Sequence, residues 1–464
     1  MGDPQPLDPD TAQARLWGEA ILGEVVQHLA GVAASRAANP VPAEQRSSIV
    51  REFIAPPPES PADFTTVLEQ LTRAAADSLD TTAPGLLGGF VGGGLYASAL
   101  AAFHTAALNR FGSLAFAAPG FTAIEEGVLR WIATGVLGLP SGSSGILTTG
   151  GSAANLSALI AARHHRLGED FTGGTLYVSE FAHHSVAKAA RVAGLPASAV
   201  RTVPGDADLR MDVAAAARMI ADDRAAGRRP FLLVGTAGHT DTGTVDPLGD
   251  LADLAGREDL WFHADAAYGG FFRLTVRGQA RLTGIERADS VTIDPHKSLF
   301  LPFGTGALVL RDPAILAAAH GLTGPYLRDV GAEEGLPDYA ELGLELSREP
   351  RGTMLWLPLQ LHGVAAFRSA LDEKLDLAEH ANRRLAGLSG IETPWRPDLS
   401  TAVFRARDDA ATSRILDHVN ADGRIYLTST TIRGYRIIRL AILSHRTRAA
   451  DVDHALDLVA EASV

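Results

Sequence analysis

Between residues 145 and 310 short, mainly apolar runs alternate with alanine-rich stretches, and that alternation leaves few architectures open to the chain. The runs at 175–178, 231–234, 260–263, 290–293 and 307–310 read as buried strands, and the stretches at 152–167, 185–193 and 211–226 have helical composition. Strand, helix and strand in succession predict an α/β fold with a mostly parallel central sheet and helices on both faces. In such sheets ligands bind at the carboxyl ends of the strands. After residue 372 the order changes to a helix, a run at 401–405, a helix near 413–419, runs at 423–427 and 435–442 and a closing helix at 449–460, which predicts a small α+β domain. Ahead of the sheet, Leu16, Ala20, Val25, Leu29 and Val32 recur at near-helical spacing, on a helix that either lies on the main body or packs against a partner subunit. Pro56, Pro57 and Pro58 then form a stiff connector to a second helix at 62–79. Three parts are expected: a helical segment at 1–84, a large domain at 85–371 and the small domain at 372–464, with no internal repeat.

Charge and composition remove several classes of function. Lys plus Arg is 41 against 54 Asp plus Glu, a net charge of -13, which disfavours a nucleic-acid partner. With no cysteine the chain has no disulfide, thiolate metal site or cysteine nucleophile, and no metal is expected. No apolar run reaches the roughly 18 uncharged residues that cross a bilayer, and the first ten residues lack the basic-then-apolar order of a secretory signal. The expectation is a cytoplasmic protein with no membrane partner.

Three local features carry chemistry. In Thr148-Thr149-Gly150-Gly151-Ser152, glycines and a hydroxyl stand where a strand feeds a helix, a place where backbone N–H groups hold phosphate. No lysine follows as in a Walker A loop, and alone the segment is more often only a tight turn with an N-cap. Asp265 ends an apolar strand among small residues in His263-Ala264-Asp265-Ala266-Ala267-Tyr268. Its burial requires a cation or donors opposite, although an Asp there also serves as a helix cap. Ala267 leaves room for a planar ring. Lys297, in Asp294-Pro295-His296-Lys297, follows another apolar strand, in surroundings that look too apolar for a free ammonium and suit a Schiff-base amine, although for an isolated lysine a partly buried ion pair is the better reading. A phosphate cradle, a carboxylate and an amine in this order meet the requirements of pyridoxal phosphate.

With these residues the chain resembles the group II pyridoxal-phosphate-dependent amino-acid decarboxylases, the family of the aromatic-L-amino-acid, histidine and glutamate enzymes. The likeness runs from about Pro84 to the C-terminus and includes Ala182-His183-His184-Ser185, Pro325-Tyr326-Leu327-Arg328, Leu355-Trp356 and Arg439-Leu440-Ala441-Ile442. It implies fold type I, the aspartate-aminotransferase-like PLP-dependent transferase fold, and the cofactor pyridoxal 5'-phosphate. By position, Lys297 would bond the cofactor aldehyde and Asp265 would pair with the pyridine nitrogen. His183, with His184 as its rival, would stack on one ring face and Ala267 on the other. Gly151 and Ser152 would hold the phosphate, and Thr240 and His296 would line the cofactor, although His239 and Asp241 depart from the commoner Thr and Asn beside Thr240. Tyr326, in a glycine-bearing stretch, would protonate Cα after CO2 leaves.

The resemblance thus implies decarboxylation of an L-amino acid by a homodimer whose N-terminal helix wraps the neighbour. A carbon-carbon lyase, an aminotransferase and an aldehyde-forming decarboxylase remain alternatives on the same fold, and a non-catalytic scaffold is the least favoured. Phe90 and Leu87, in a glycine-rich stretch ending Gly92-Gly93-Gly94, point to a mainly apolar side-chain pocket and an aromatic or similar substrate.

Overall fold

Seven strands form the central layer: β1 (Ser144–Thr148), β2 (Gly174–Ser179), β3 (Val200–Val203), β4 (Arg229–Thr236), β5 (Trp261–Asp265), β6 (Ser290–Ile293) and β7 (Gly306–Leu310). In this computed structural model, which describes residues 7–38, 41–321 and 335–463, they lie in the order β1-β7-β6-β5-β4-β2-β3. The neighbours from β3 to β6 are parallel, and β7 runs antiparallel to both β1 and β6. Every residue of β1, β2, β5, β6 and β7 is buried, as expected of strands covered on both faces. The strands predicted for this sheet are all present. The edge strand β3 is the one the apolar pattern misses, because Arg201 and Thr202 face partly outward.

The smaller sheet is antiparallel, in the order β10-β11-β9-β8, with β8 (Ile391–Glu392), β9 (Thr401–Ala406), β10 (Thr428–Ile432) and β11 (Tyr435–Ala441). Helices Asp409–Asp422 and Ala449–Ala462 cover it, around a core that includes Phe404, Ile415, Ile438, Leu456 and Val459. The run expected as a strand at 423–427 is instead a connector. Gly423, at φ 77°, ends the preceding helix. The Asn420 side chain then takes the Leu427 N–H at 2.8 Å and donates to its carbonyl at 3.1 Å, so pairing starts only at Thr428.

Residue 372 lies within the helical stretch Thr353–Ala386, interrupted at Gly363. Leu371 and Leu375 belong to the large core and Leu377 and Ala381 to the smaller one, so one helix passes from core to core without a linker. Toward the N-terminus, Asp10 and Asp63 cap helices Thr11–Gly31 and Phe64–Ala76, neither of which buries a residue. Among the described residues no helix is long and apolar enough to cross a membrane.

Candidate functional site

The parallel strands deliver their last residues to one edge of the sheet. Thr236 ends β4, Asp265 ends β5 and Asp294 follows β6. Because β7 runs the other way, its first residue comes to the same edge, where Gly306 pairs with Thr148 at the end of β1. Behind that pair the helix Gly151–Leu167 begins, and His183 caps the helix His184–Val192 that follows β2. A cavity of about 240 Å³ lies among these ends, lined by Gly151, Ser152, His183, Thr240, Asp265, Ala267, His296 and Lys297. The sequence candidates in the described residues therefore come together. His184 does not line the cavity, whereas His183 does. Tyr326 lies outside the described residues.

Lys297 stands one helical turn after Asp294, and Pro295 fixes the start of that turn. Its Nζ is 3.1 Å from Asp294 Oδ2. This corrects the expectation of apolar surroundings: a buried carboxylate faces the amine, because residues three apart share a helix face. Burial pushes the Asp294 carboxyl up, against the pull of Lys297 and His296. Its Oδ1 has no hydrogen-bond partner. Beside it His296 Nδ1 donates to the Thr305 carbonyl at 2.5 Å, and that bond holds the imidazole against the start of β7.

Asp265 is buried and meets donors on both oxygens. Oδ2 accepts from Asn155 Nδ2 at 2.9 Å, and Oδ1 accepts from the Ala267 N–H at 3.2 Å, an Asx-type turn rather than a cap on an α-helix. His183 Nδ1 accepts from the Ser185 N–H at 3.2 Å and meets Ser185 Oγ at 2.8 Å, so the residue caps its helix and faces the cavity at once. Burial is the main cause that lowers the affinity of its imidazole for a proton.

At the opposite end the amides of Gly151 and Ser152 open the helix, where they have no acceptor within it. Gly150, at φ 148°, turns the chain into that helix, and its carbonyl accepts from Ala153 and Ala154. Phe90 stacks on Tyr268 with ring centroids 3.8 Å apart and also lines the cavity. Leu87 does not, because it is fully buried in the smaller core. Motif reading missed Thr149, Asn155, Ser185, Thr236 and Asp294 in the wall. Of these only Asp294 carried a signal, its three-residue spacing from Lys297.

The residues fit pyridoxal phosphate. Free helix-start amides suit a phosphate, Thr236 Oγ1 is buried without a partner at the wall, and no Cβ fits at Gly151 without meeting Asp294 Oδ2 at 2.9 Å. Comparisons with known proteins agree. The model of the pyridoxal-dependent decarboxylase conserved domain matches residues 51–407. An aromatic-L-amino-acid decarboxylase of Bacillus atrophaeus is 33% identical over 406 residues, 85% of this chain and 84% of that protein. An L-2,4-diaminobutyrate decarboxylase of Rhizobium meliloti (strain 1021) is 32% identical over 351 residues, 74% of this chain and 70% of that protein. The crystal structure of Oryza sativa TDC with PLP and tryptamine superposes with a TM-score of 0.92, covering 99% of both chains at 24% identity, and so shares the fold. A family match that spans the helix start at Gly151, the carboxylate at Asp265 and the lysine turn makes this chain a member of the group II pyridoxal-phosphate-dependent amino-acid decarboxylases, a carboxy-lyase acting on an L-amino acid.

Proposed function

We propose that the chain works as a cytoplasmic homodimer that converts an L-amino acid with an aromatic or other largely apolar side chain to its amine. The observation that carries this reading is the shared cavity of Lys297, Asp265 and the helix start at Gly151. Bound pyridoxal phosphate supplies an aldehyde for the substrate amine and a ring that takes up the electron pair left when CO2 departs. Lys297, in the cavity wall, would be the amine that holds the cofactor aldehyde. Asp265 would accept a hydrogen bond from the protonated pyridine nitrogen, and the Gly151 and Ser152 amides would hold the phosphate. His183 and Ala267 would hold the ring between them, with Thr240 and His296 as further contacts. Tyr326, assigned by sequence position alone, returns a proton to Cα.

Phe90 supports the apolar substrate, because its ring is the large apolar group of the cavity wall apart from Tyr268 beneath it. Exposed Leu16, Ile21, Val26 and Leu71 on the N-terminal helices support a second copy that covers them. The test is a panel of L-amino acids that includes tryptophan, tyrosine, phenylalanine and 2,4-diaminobutyrate, with CO2 and amine both measured. Amine and CO2 in equal amounts from an aromatic substrate, lost in Lys297→Ala, are the expected result. Keto acids or aldehydes without amine would overturn the reaction, and turnover of diaminobutyrate alone would overturn the substrate class.

A further inference from the structure

Behind Asp265 an unbroken line of hydrogen bonds runs into the sheet. Trp261 Nε1 lies 2.8 Å from Ser290 Oγ, which lies 2.8 Å from His263 Nδ1. His263 Nε2 is 3.0 Å from Asn155 Oδ1, with Thr292 Oγ1 further off at 3.4 Å. Asn155 Nδ2 reaches both Asp265 Oδ2 and Ser185 Oγ at 2.9 Å, and Ser185 Oγ ends the line on His183 Nδ1 at 2.8 Å. Trp261, His263 and Ser290 are buried and absent from the cavity wall.

The chemistry of the two ends sets the direction of every bond. An indole nitrogen only donates, so Ser290 Oγ accepts from Trp261; a carboxylate only accepts, so Asn155 turns Nδ2 to Asp265 and Oδ1 to His263, which must donate from Nε2 and accept the Ser290 proton on Nδ1. Both N–H bonds of the Asn155 amide are thus directed, one to Asp265 and one to Ser185. The Ser185 proton is left for His183 Nδ1. Since that nitrogen also accepts the Ser185 N–H, the proton of a neutral His183 ring is on Nε2. Burial keeps the line neutral, holding His263 down at about 4.

We propose that Trp261, Ser290 and His263 are positioning residues for the decarboxylation, which lock the Asn155 amide so that Asp265 always meets a donor and His183 always presents Nε2–H to the cavity. This rests on the roles given above to Asp265 and His183. Both cofactor-facing groups are thereby set by one rigid line from the sheet interior, and His183 faces the cavity as a donor.

The apo protein provides the first test, by nitrogen NMR of isotope-labelled histidine near neutral pH. His183 and His263 are expected as neutral rings protonated at Nε2. A cationic His263, or one protonated at Nδ1, overturns the proposal. Three variants provide the second. In His263→Leu the donor to Asn155 is gone, in His263→Gln a side-chain N–H can replace it, and Trp261→Phe removes the indole donor to Ser290 while keeping the packing. In His263→Leu the Asn155 amide loses the donor to its Oδ1, and the cofactor dissociation constant is expected to rise about tenfold, the equivalent of one hydrogen bond. The kcat falls with little change in KM. His263→Gln stays within about threefold of the parent, and Trp261→Phe lies between the two. If His263→Leu leaves cofactor affinity and kcat unchanged, the line does no positioning. Turnover surviving in Lys297→Ala would sink the site assignment but leave the apo tautomers to be judged separately.

Discussion

The helix start at Gly151 is kept open by the lack of a side chain, since a Cβ there would stand 2.9 Å from Asp294 Oδ2 and 3.2 Å from Ala267 Cβ. Either neighbour that gives way disturbs the site, because Asp294 faces the Lys297 amine and Ala267 lines the cavity. Gly151→Ala is therefore expected to weaken cofactor binding about tenfold, a loss comparable to one good contact, with little effect on folding. Equilibrium dialysis against pyridoxal phosphate checks it, and an unchanged dissociation constant would show that the cradle has slack. Lys297 and Asp265 were legible in the sequence because each is a charged residue at the end of an apolar strand. Asn155 was not, because its importance comes from Asp265, 110 residues away, and an asparagine inside a helix carries no signature of such a partner. The partner of Lys297 was misread for a related reason: strand composition predicts burial, but not which polar group a short proline-started turn brings alongside.

At the scale of elements, the glycine-rich segment before Leu95 is a wedge between the lysine turn and the smaller domain. A Cβ on Gly92 would meet Lys297 O at 2.6 Å, Phe300 Cα at 2.7 Å and His296 O at 2.9 Å, all backbone atoms that cannot rotate away. On the other side His445 Nδ1 donates to the Gly92 carbonyl at 2.9 Å, and Arg446 donates to that of Gly93. Gly92→Ala must therefore displace the backbone that carries Lys297, with an expected loss of about 1–3 kcal/mol in stability and a fall in kcat. Gly89, with nothing within 4 Å of its Cβ position, is the control, and Gly89→Ala is expected to stay within about 0.5 kcal/mol. Urea unfolding of the pair decides it: equal midpoints would mean that the wedge can relax. Sequence patterning registered this segment as a pocket wall emptied of side chains and missed the reason for its glycines, which is close backbone approach. Patterning worked best where strands are buried on both faces, as in β5 and β6, and failed where an end is set by a side chain, as Asn420 does ahead of β10.

At the scale of the whole molecule, burial acts on His263, behind the cofactor site, and on His445, where the glycine segment meets the smaller domain. Burial is the main cause for both, holding His263 and His445 down at about 4 against an ordinary 6.5. As pH falls below 6.5 the unfolded chain takes up these protons first, so the contribution to stability is complete above that value and is lost progressively toward about 4. Each depression is equivalent to at most about 3 kcal/mol. Buried carboxyls act in the opposite sense, since Glu125, Asp289 and Asp294 are pushed up and favour the folded state at lower pH. The net slope of the parent is thus a difference between two sets of groups, and substitution separates them. His445→Asn keeps a donor for the Gly92 carbonyl but removes the titration. Its loss of stability between pH 6.5 and 4 is expected to be smaller than the parent's, with the two curves parallel above that window. Denaturant midpoints across the range measure this, and parallel curves throughout would show that His445 takes up its proton at the same pH in the folded as in the unfolded chain, so that burial beside the glycine wedge does not keep the ring neutral.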